Sequence, residues 1–422
     1  MPRRLALRLL IAWLAWIPLV SAQGPNPSGP QGPGFYGMAP GGPYAGGTAP
    51  VYDRQVPRLS EQFAPGSRDS FYDYDSAVDL AIIDTFSQTW FRTEYLWMNY
   101  RAPNSRFIGA TPLTVPPAVF NPTAFFPAVD RVTGVRVAQE GQLVSLKDAD
   151  YQDNNGLRLT MGIPTQLFTF EASGFAMGQS ESLIRVLPFV SVNSLPVSTV
   201  IPAIPLTRNG LPSRLDFILF DQGMELAVQS NLQGADTKFV FGAVTPNQAV
   251  EIAPLIGFNY MHYSNELVIR GDDAASATSH RIESRANNHI FGPEVGFRLE
   301  TRSKWLTLGF EPKFTFGVNR VSNRVSTQQI FSPTELDRVQ KDGLTRFSPV
   351  IELGTYARVR LAEHLNLTLG YQFMATTNVS QSEQNISWDS SSILTNPPQI
   401  NLIQREDDFW MQGVNVGLQW QF

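Results

Sequence analysis

The C-terminal run Trp410-Met411-Gln412-Gly413-Val414-Asn415-Val416-Gly417-Leu418-Gln419-Trp420-Gln421-Phe422 alternates almost without fault. Val414, Val416, Leu418, Trp420 and Phe422 share one parity; Gly413, Asn415, Gly417, Gln419 and Gln421 share the other. Successive side chains of a strand point to opposite faces, so this is a strand with one oily and one wet face. The same reading extends backward along the chain. Leu306, Leu308, Phe310, Phe314, Phe316 and Val318 alternate with Thr307, Gly309, Glu311, Lys313, Thr315, Gly317 and Asn319, with Pro312 a blemish on the oily side because it lacks a ladder donor. Leu365, Leu367, Leu369, Tyr371 and Phe373 alternate with Asn366, Thr368, Gly370 and Gln372.

Fainter segments obey the same rule. Phe91, Tyr95 and Trp97 oppose Arg92 and Glu94; Leu157, Leu159, Met161 and Ile163 oppose Arg158 and Thr160; Phe168 and Phe170 oppose Thr169 and Glu171. Met224, Leu226 and Val228 oppose Glu225 and Gln229; Phe291, Val295, Phe297 and Leu299 oppose Glu294, Arg298 and Glu300; Phe347, Ile351, Leu353 and Val359 oppose Glu352, Arg358 and Arg360. Residues 252–261 are apolar on both parities. The expected strands are 88–100, 156–164, 166–177, 222–232, 250–264, 284–301, 304–319, 346–361, 364–377 and 409–422. Their connections alternate. Short ones fall at Pro164-Thr165, Arg302-Ser303 and Ala362-Glu363; long ones cover 101–155, 178–221, 265–283, 320–345 and 378–408. The 233–249 connection is too long for a tight turn and leaves room for a further hairpin. The expectation is an all-β, closed, antiparallel up-and-down transmembrane β-barrel of about 10–12 strands.

The N-terminus carries an export pattern. Arg3, Arg4 and Arg8 precede an apolar run from Leu9 to Val20, and Val20-Ser21-Ala22 supplies small residues for cleavage. Residues 1–22 therefore read as a signal peptide cut between Ala22 and Gln23, the run being shorter than the ~20 residues of a spanning helix. More than half of residues 23–50 are Gly or Pro, and 23–66 reads as a flexible segment that cannot bury enough surface to order itself. Residues 67–87 stay unassigned, and 88–422 is the barrel. Pro188, Pro196, Pro202 and Pro205 interrupt the apolar stretch 183–206, so no later helix spans a membrane.

A soluble sandwich also has one oily face, so alternation does not separate the two cases. Three features favour the membrane. Charged residues gather on the wet faces. Trp90, Trp97, Tyr100, Trp305, Tyr371, Trp410 and Trp420 lie near strand ends, as interfacial girdles do. Trp420 and Phe422 resemble the terminal aromatic signature read by outer-membrane assembly machinery. The composition suits the same reading, since charged residues make up only 16% of the 422, below the roughly 25% of soluble domains. The net charge of −5 argues against a nucleic-acid partner. The absence of cysteine excludes disulfides and thiolate chemistry.

The residues resemble a family of outer-membrane β-barrel porins of planctomycete bacteria, numbered seven. The matches, in order, are Trp90 to Trp97 with its Glu94-Tyr95-Leu96-Trp97 core, Gly257-Phe258-Asn259-Tyr260, Asn288 to Gly292, Lys313 to Asn319, Gly370-Tyr371-Gln372-Phe373 with Asn378-Val379, and Phe409 to Phe422. Asn259 stands where the family has arginine, and two residues separate Pro349 from Glu352 where the family has a Pro-Glu pair. The resemblance covers 88–422 and implies an outer-membrane barrel with transport.

For function, the leading expectation is a porin-like channel for passive diffusion of small solutes, lined by Arg92, Glu94, Arg158, Glu171, Glu225, Glu294, Arg298, Glu311, Lys313, Glu352, Arg358 and Arg360. The alternative is a structural or partner-binding barrel in which those charges pair and fill the lumen, since ten to twelve strands lie between a filled barrel and an aqueous channel. A third reading, an outer-leaflet hydrolase, would need His280 with Asp272 and Asp273 as acid–base groups, and a solvated loop accounts for them more simply. His262, His280, His289 and His364 have no metal-ligand spacing, and no nucleophile elbow or phosphate loop occurs. No cofactor, metal or catalytic activity is expected. The expected partners are membrane lipid, the barrel assembly machinery and small solutes.

Overall fold

A computed structural model describes residues 88–101, 107–110, 125–129, 136–146, 149, 154–165, 167–191, 198–208, 211–244, 250–389 and 400–421. The expected signal peptide 1–22, the segments 23–66 and 67–87, and Phe422 lie outside them. The described strands are β1 (Trp90–Tyr100), β2 (Phe125–Val129), β3 (Arg136–Leu143), β4 (Asn154–Pro164), β5 (Phe168–Met177), β6 (Ser180–Val186), β7 (Phe189–Ser191), β8 (Ser198–Arg208), β9 (Leu211–Leu219) and β10 (Met224–Phe241). They continue as β11 (Val250–Asp273), β12 (Thr278–Arg302), β13 (Leu306–Thr315), β14 (Val318–Gln328), β15 (Arg338–Phe347), β16 (Val350–Ala362), β17 (Leu365–Ser380), β18 (Ile386–Ser387), β19 (Asn401–Leu402) and β20 (Glu406–Gln421).

Ten of these form a closed antiparallel ring in the order β1, β4, β5, β10, β11, β12, β13, β16, β17, β20 and back to β1. The closing pair runs in unbroken register from Trp90↔Gln421 to Tyr100↔Met411. Closure gives every ring strand a partner on both edges, which is what a lipid environment demands of a backbone. Connections between ring strands at one end are short: 165–167, 242–249, 303–305 and 363–364. The other end carries the long excursions. There β6 continues β5 along β10, β14 continues β13 along β12, and β15 pairs with β14 beyond β16. The ring thus rises on one side into a sheet ordered β6, β10, β11, β12, β14, β15. A separate five-stranded sheet of β2, β3, β7, β8 and β9 comes from the excursions 101–153 and 187–223.

β12 shows what sets the position of a membrane on this ring. Its even residues face inward and its odd residues outward. Near the short turns the outward residues are Phe291, Val295, Phe297 and Leu299, and the inward ones are Glu294, Arg298 and Glu300. Beyond Ile290 the order reverses: Arg281, Glu283, Arg285, Asn287 and His289 face outward, while Ile282, Ala286 and Ile290 are buried within. The same exchange occurs on β11, between outward Ile256 and Phe258 (49% and 48% exposed) and outward Ser264 and Glu266. Below the exchange the ring is apolar outside and polar inside; above it the outside turns polar, and the inside carries buried apolar residues interleaved with buried polar ones such as Ser284, Asn288, Asn319 and Asn323. The apolar outer run of β12 from Phe291 to Leu299 has the ~9–11 residues a tilted strand needs to cross a bilayer. β11, with 24 residues, is about 80 Å long and must project well beyond it. No described helix is long and apolar enough to cross a membrane.

The ring has ten strands, within the expected 10–12; the room left for a further hairpin at 233–249 is taken up because β10 runs on to Phe241 and leaves only 242–249 as a connection. Two expectations change. The spans 265–283 and 320–345 are not simply loops but largely strand continuations, turning at 274–277 and 329–337. Of the expected girdle aromatics, Trp97, Trp305, Tyr371 and Trp420 are exposed, but Tyr100 is buried in the apolar core and Trp90 faces the lumen. Trp90 fits inside because Gly162 opposes it across β1 and β4, and a side chain at Gly162 would collide with the indole. Pro312 does leave its mark: the β12–β13 ladder is interrupted at Phe297-Arg298, opposite Glu311-Pro312.

The exchange of faces makes a direct prediction. Ile256→Arg, at mid-height of the apolar band, should cost about 2–4 kcal/mol of folding free energy in vesicles, as cations at the bilayer midplane do. Ser264→Arg, eight residues further out on the same face, should cost less than ~0.5 kcal/mol. Urea unfolding of the refolded barrel in phosphatidylcholine vesicles reads both. Equal costs would mean that no lipid covers this band.

Candidate functional site

The lumen is divided at the level where the outer surface changes character. On its short-turn side, six cations (Arg92, Arg158, Lys238, Arg298, Lys313, Arg358) and five carboxylates (Glu94, Glu171, Asp236, Glu311, Glu352) line one cavity of about 90 Å³. Glu294 is buried beside them. Each arises from the inward parity of its own strand, so alternation alone delivers seven ring strands' charges to a common axis.

Arg298 is the hub. Its Nη1 and Nη2 donate to Oε1 and Oε2 of Glu171, both at 2.7 Å, and its Nε donates to Oε2 of Glu311 at 2.7 Å. A planar guanidinium matches two carboxylates in this way, and a lysine would not. Lys238 bridges the same two acids, at 3.3 Å from Glu171 and 2.5 Å from Glu311. A second group lies alongside. Lys313 Nζ stands 2.8 Å from Glu352 and 3.4 Å from Glu294, and Asn259 Nδ2 donates to both acids at 2.8 and 3.2 Å. Asp236 accepts from Ser173, Arg158 donates to Gln372 at 2.6 Å, and Arg92 pairs with Glu94 at 3.3 Å while Asn415 donates to Glu94. Glu171, Glu294 and Glu352 are 1%, 1% and 4% exposed, so the acids are removed from bulk water and held by opposite charge instead.

Below this layer, a second cavity of about 300 Å³ lies among the short turns, lined by Thr165, Phe168, Phe241, Glu251, Glu300 and Arg302 among others. Trp90, Glu171, Arg298 and Arg358 border both cavities and form the neck between them. Arg302 joins Glu300 at 2.7 Å and Glu251 at 3.1 Å there.

Above the charged layer the lumen turns apolar. Leu96, Met98, Met224, Leu226, Val228, Met261, Ile290, Met374 and Met411 of the wall pack in one cluster with Ile108, Val144, Leu146, Ile204, Leu206, Ile218, Phe220 and Ile386 from the excursions. A 3-10 turn at Ser382–Gln384 is tied across this space: Asn265 Oδ1 accepts from Ser382 N at 3.1 Å, Ser284 Oγ donates to Ser382 O at 2.6 Å, and Asn288 Oδ1 accepts from Ser380 N at 2.9 Å. Asn378, in the left-handed region at φ 58°, starts the turn inward.

Of the residues expected along the lumen, Arg92, Glu94, Arg158, Glu171, Arg298, Glu311, Lys313, Glu352 and Arg358 stand at the first cavity, with Glu294 in contact. Arg360 shares their parity but is exposed at the short-turn rim. Glu225 stands elsewhere: it is on the outward parity of β10, paired with Arg185 at 3.1 Å beyond the membrane level. Sequence reasoning missed Asp236, Lys238 and Asn259. The first two continue the inward parity of Met224, Leu226 and Val228, but they lie beyond residue 232, where the alternation fades and the expected strand stops. His280 is buried, joined to Thr278 Oγ1 at 3.0 Å and to the Gln329 carbonyl at 2.6 Å, which leaves neither ring nitrogen facing Asp272 or Asp273. Among the described residues no cluster of three or more His, Asp or Glu is placed to hold a metal.

Removing the hub should expose what the pairing is worth. Arg298→Met leaves Glu171 and Glu311 short of a cation and should cost about 3–5 kcal/mol, the usual penalty for breaking a buried pair. Arg302→Met, at a half-exposed pair near the rim, should cost less than ~1 kcal/mol. Denaturant unfolding in vesicles distinguishes them.

Among solved structures the chain is similar to the outer membrane protease OmpT from Escherichia coli, at 8% identity over 79% of this chain and 94% of that one, with a TM-score of 0.41. It is also similar to a TodX deletion mutant described as a monoaromatic hydrocarbon channel, at 9% identity over 79% and 90%, TM-score 0.28, and to the Pseudomonas putida toluene transporter TodX, at 9% over 82% and 94%, TM-score 0.18. No curated protein sequence matches it. Residues 90–422 match the family model described as "Putative beta barrel porin-7". The chain belongs to this family of β-barrel porins, and its place is the outer membrane.

Proposed function

We propose that the protein is a non-enzymatic outer-membrane barrel that rests closed and serves a structural or partner-binding role, carrying its β-rich outer portion at the cell surface. The observation that carries this is the filled lumen. Ion pairs occupy the level of the membrane band, and an apolar core built partly from the excursions occupies the level above. An ion or polar solute would have to cross both; the apolar side chains of the upper level replace none of its hydration, and the Asn and Ser groups among them are already bonded to the inserted turn and to one another. In this reading the twelve expected charges are not a selectivity filter; those that meet at the axis fill the interior. Export by a leader cut after Ala22, and capture by the assembly machinery through Trp420 and Phe422, belong to the same proposal.

Passive diffusion of small solutes is the second reading. It is favoured by the 300 Å³ cavity at the short-turn end, which shares its neck residues with the charged layer. A passage from there would require the turn at Ser382–Gln384 and its apolar neighbours to leave the lumen.

Planar-bilayer recording separates the two. The refolded wild-type protein should give no step conductance at either polarity. Regular steps at modest voltage would establish an open pore and overturn the closed reading.

A further inference from the structure

Just outside the apolar band, the outward face of β12, β14 and β15 carries more cations than acids. Phe291, Val318 and Phe347 pair across these strands as one outward apolar rung. Two residues further out, the next outward rung is His289, Arg320 and Thr345. Six residues out it is Arg285, Arg324 and Lys341, directly opposite one another. Like charges in directly opposed positions repel and destabilise a sheet unless something lies between them. Arg285 is neutralised by Glu266 at 2.5 Å, and Arg281 by Glu283 at 3.2 Å. Arg320, Arg324 and Lys341 are exposed and make no ion pair among the described residues.

Their height matters as much as their charge. Strands tilted by ~35–45° rise about 5 Å over two residues and about 15 Å over six. The headgroup layer adds about 5–8 Å beyond the hydrocarbon on each side. Arg320 therefore lies in that layer, and Arg324 and Lys341 have side chains long enough to reach back to it.

We propose that Arg320, Arg324 and Lys341 form a docking surface for the anionic phosphate groups of outer-leaflet lipids. The inference rests on the membrane-barrel assignment and not on whether the lumen is closed. Phosphates there supply the counter-charge that the opposed cations lack, and they bind the barrel's outer wall to its surrounding lipid.

The test uses the full chain refolded into phosphatidylcholine vesicles doped with spin-labelled phosphatidic acid or spin-labelled phosphatidylcholine. Spin resonance reads the fraction of each lipid held at the protein. Wild type should favour phosphatidic acid several-fold, about five-fold for each surface cation engaged. The triple variant Arg320→Gln/Arg324→Gln/Lys341→Gln should lose that preference, and Arg324→Gln alone should lose part of it. Lys304→Gln/Arg360→Gln, at the opposite rim, should keep it. Equal preference in wild type and the triple variant would overturn the proposal. So would full displacement by millimolar inorganic phosphate, since the site would then be one for a soluble anion. If the barrel failed to enter vesicles at all, the membrane assignment would fall first, and that failure is visible before any lipid is compared.

Discussion

A bilayer offers the polypeptide backbone no hydrogen-bond partner, and the rest of this structure depends on how that demand is met. The ring closes by pairing β1 with β20 over eleven consecutive positions, so the first and last described strands complete each other. Once closed, the ring has only two surfaces, and each must match its surroundings at every height. Lipid sets the outer surface within the band, which leaves the polar residues of each strand nowhere to go but inward. The charged lumen is thus a consequence of closure and amphipathic strands. It needs no selected function to exist, although its detailed pairing around Arg298 does need explanation.

That explanation is energetic. A carboxylate confined at the axis has lost most of its hydration, and a single partner at typical geometry seldom offsets the loss. Arg298 engages two acids with three of its nitrogens, Lys238 engages the same two, and Lys313 with Asn259 repeats the pattern on Glu294 and Glu352. Each charge is held by more than one partner. Such networks are costly to break at one point, and they hold the ring strands at fixed distances across the lumen, which gives a thin-walled barrel its rigidity.

Much of this was legible in the alternation. The ten ring strands, their inward charges and the short-turn end all follow from parity and connection length. What the sequence obscured lies near the boundary. On β10, Thr237, Ala235 and Gln233 face outward from within the band, level with Phe258, to just beyond its edge, while Gly234, Asp236 and Lys238 face inward. Both parities are then non-hydrophobic, so no period-two signal survives, and the strand looks as if it ends. Further out the signal returns with reversed meaning. Leu226 and Val228 are as apolar as any lipid-facing pair, yet they point inward, against Phe220 and its neighbours. Parity was readable; which side the apolar parity faced was not, because that depends on height above the membrane, a quantity no local window contains.

The reversal also bears on how such a chain can be exported at all. A barrel with an apolar lumen throughout would need strands apolar on both faces within the band, and several such strands would present the long apolar runs that are retained in membranes as helices. Keeping charged or polar residues on alternate positions holds most crossing strands below that threshold, as the run from Leu306 to Thr315 shows with Glu311 and Lys313 at its centre; β11, apolar on both parities over 252–261, is the exception. Above the band the restriction no longer applies, since water covers the outside, and a conventional apolar core becomes the cheaper filling. The two chemistries of the lumen therefore answer to different constraints. The lower is fixed by passage through an inner membrane and residence in an outer one; the upper is fixed only by the ordinary requirement that a sheet bury one face.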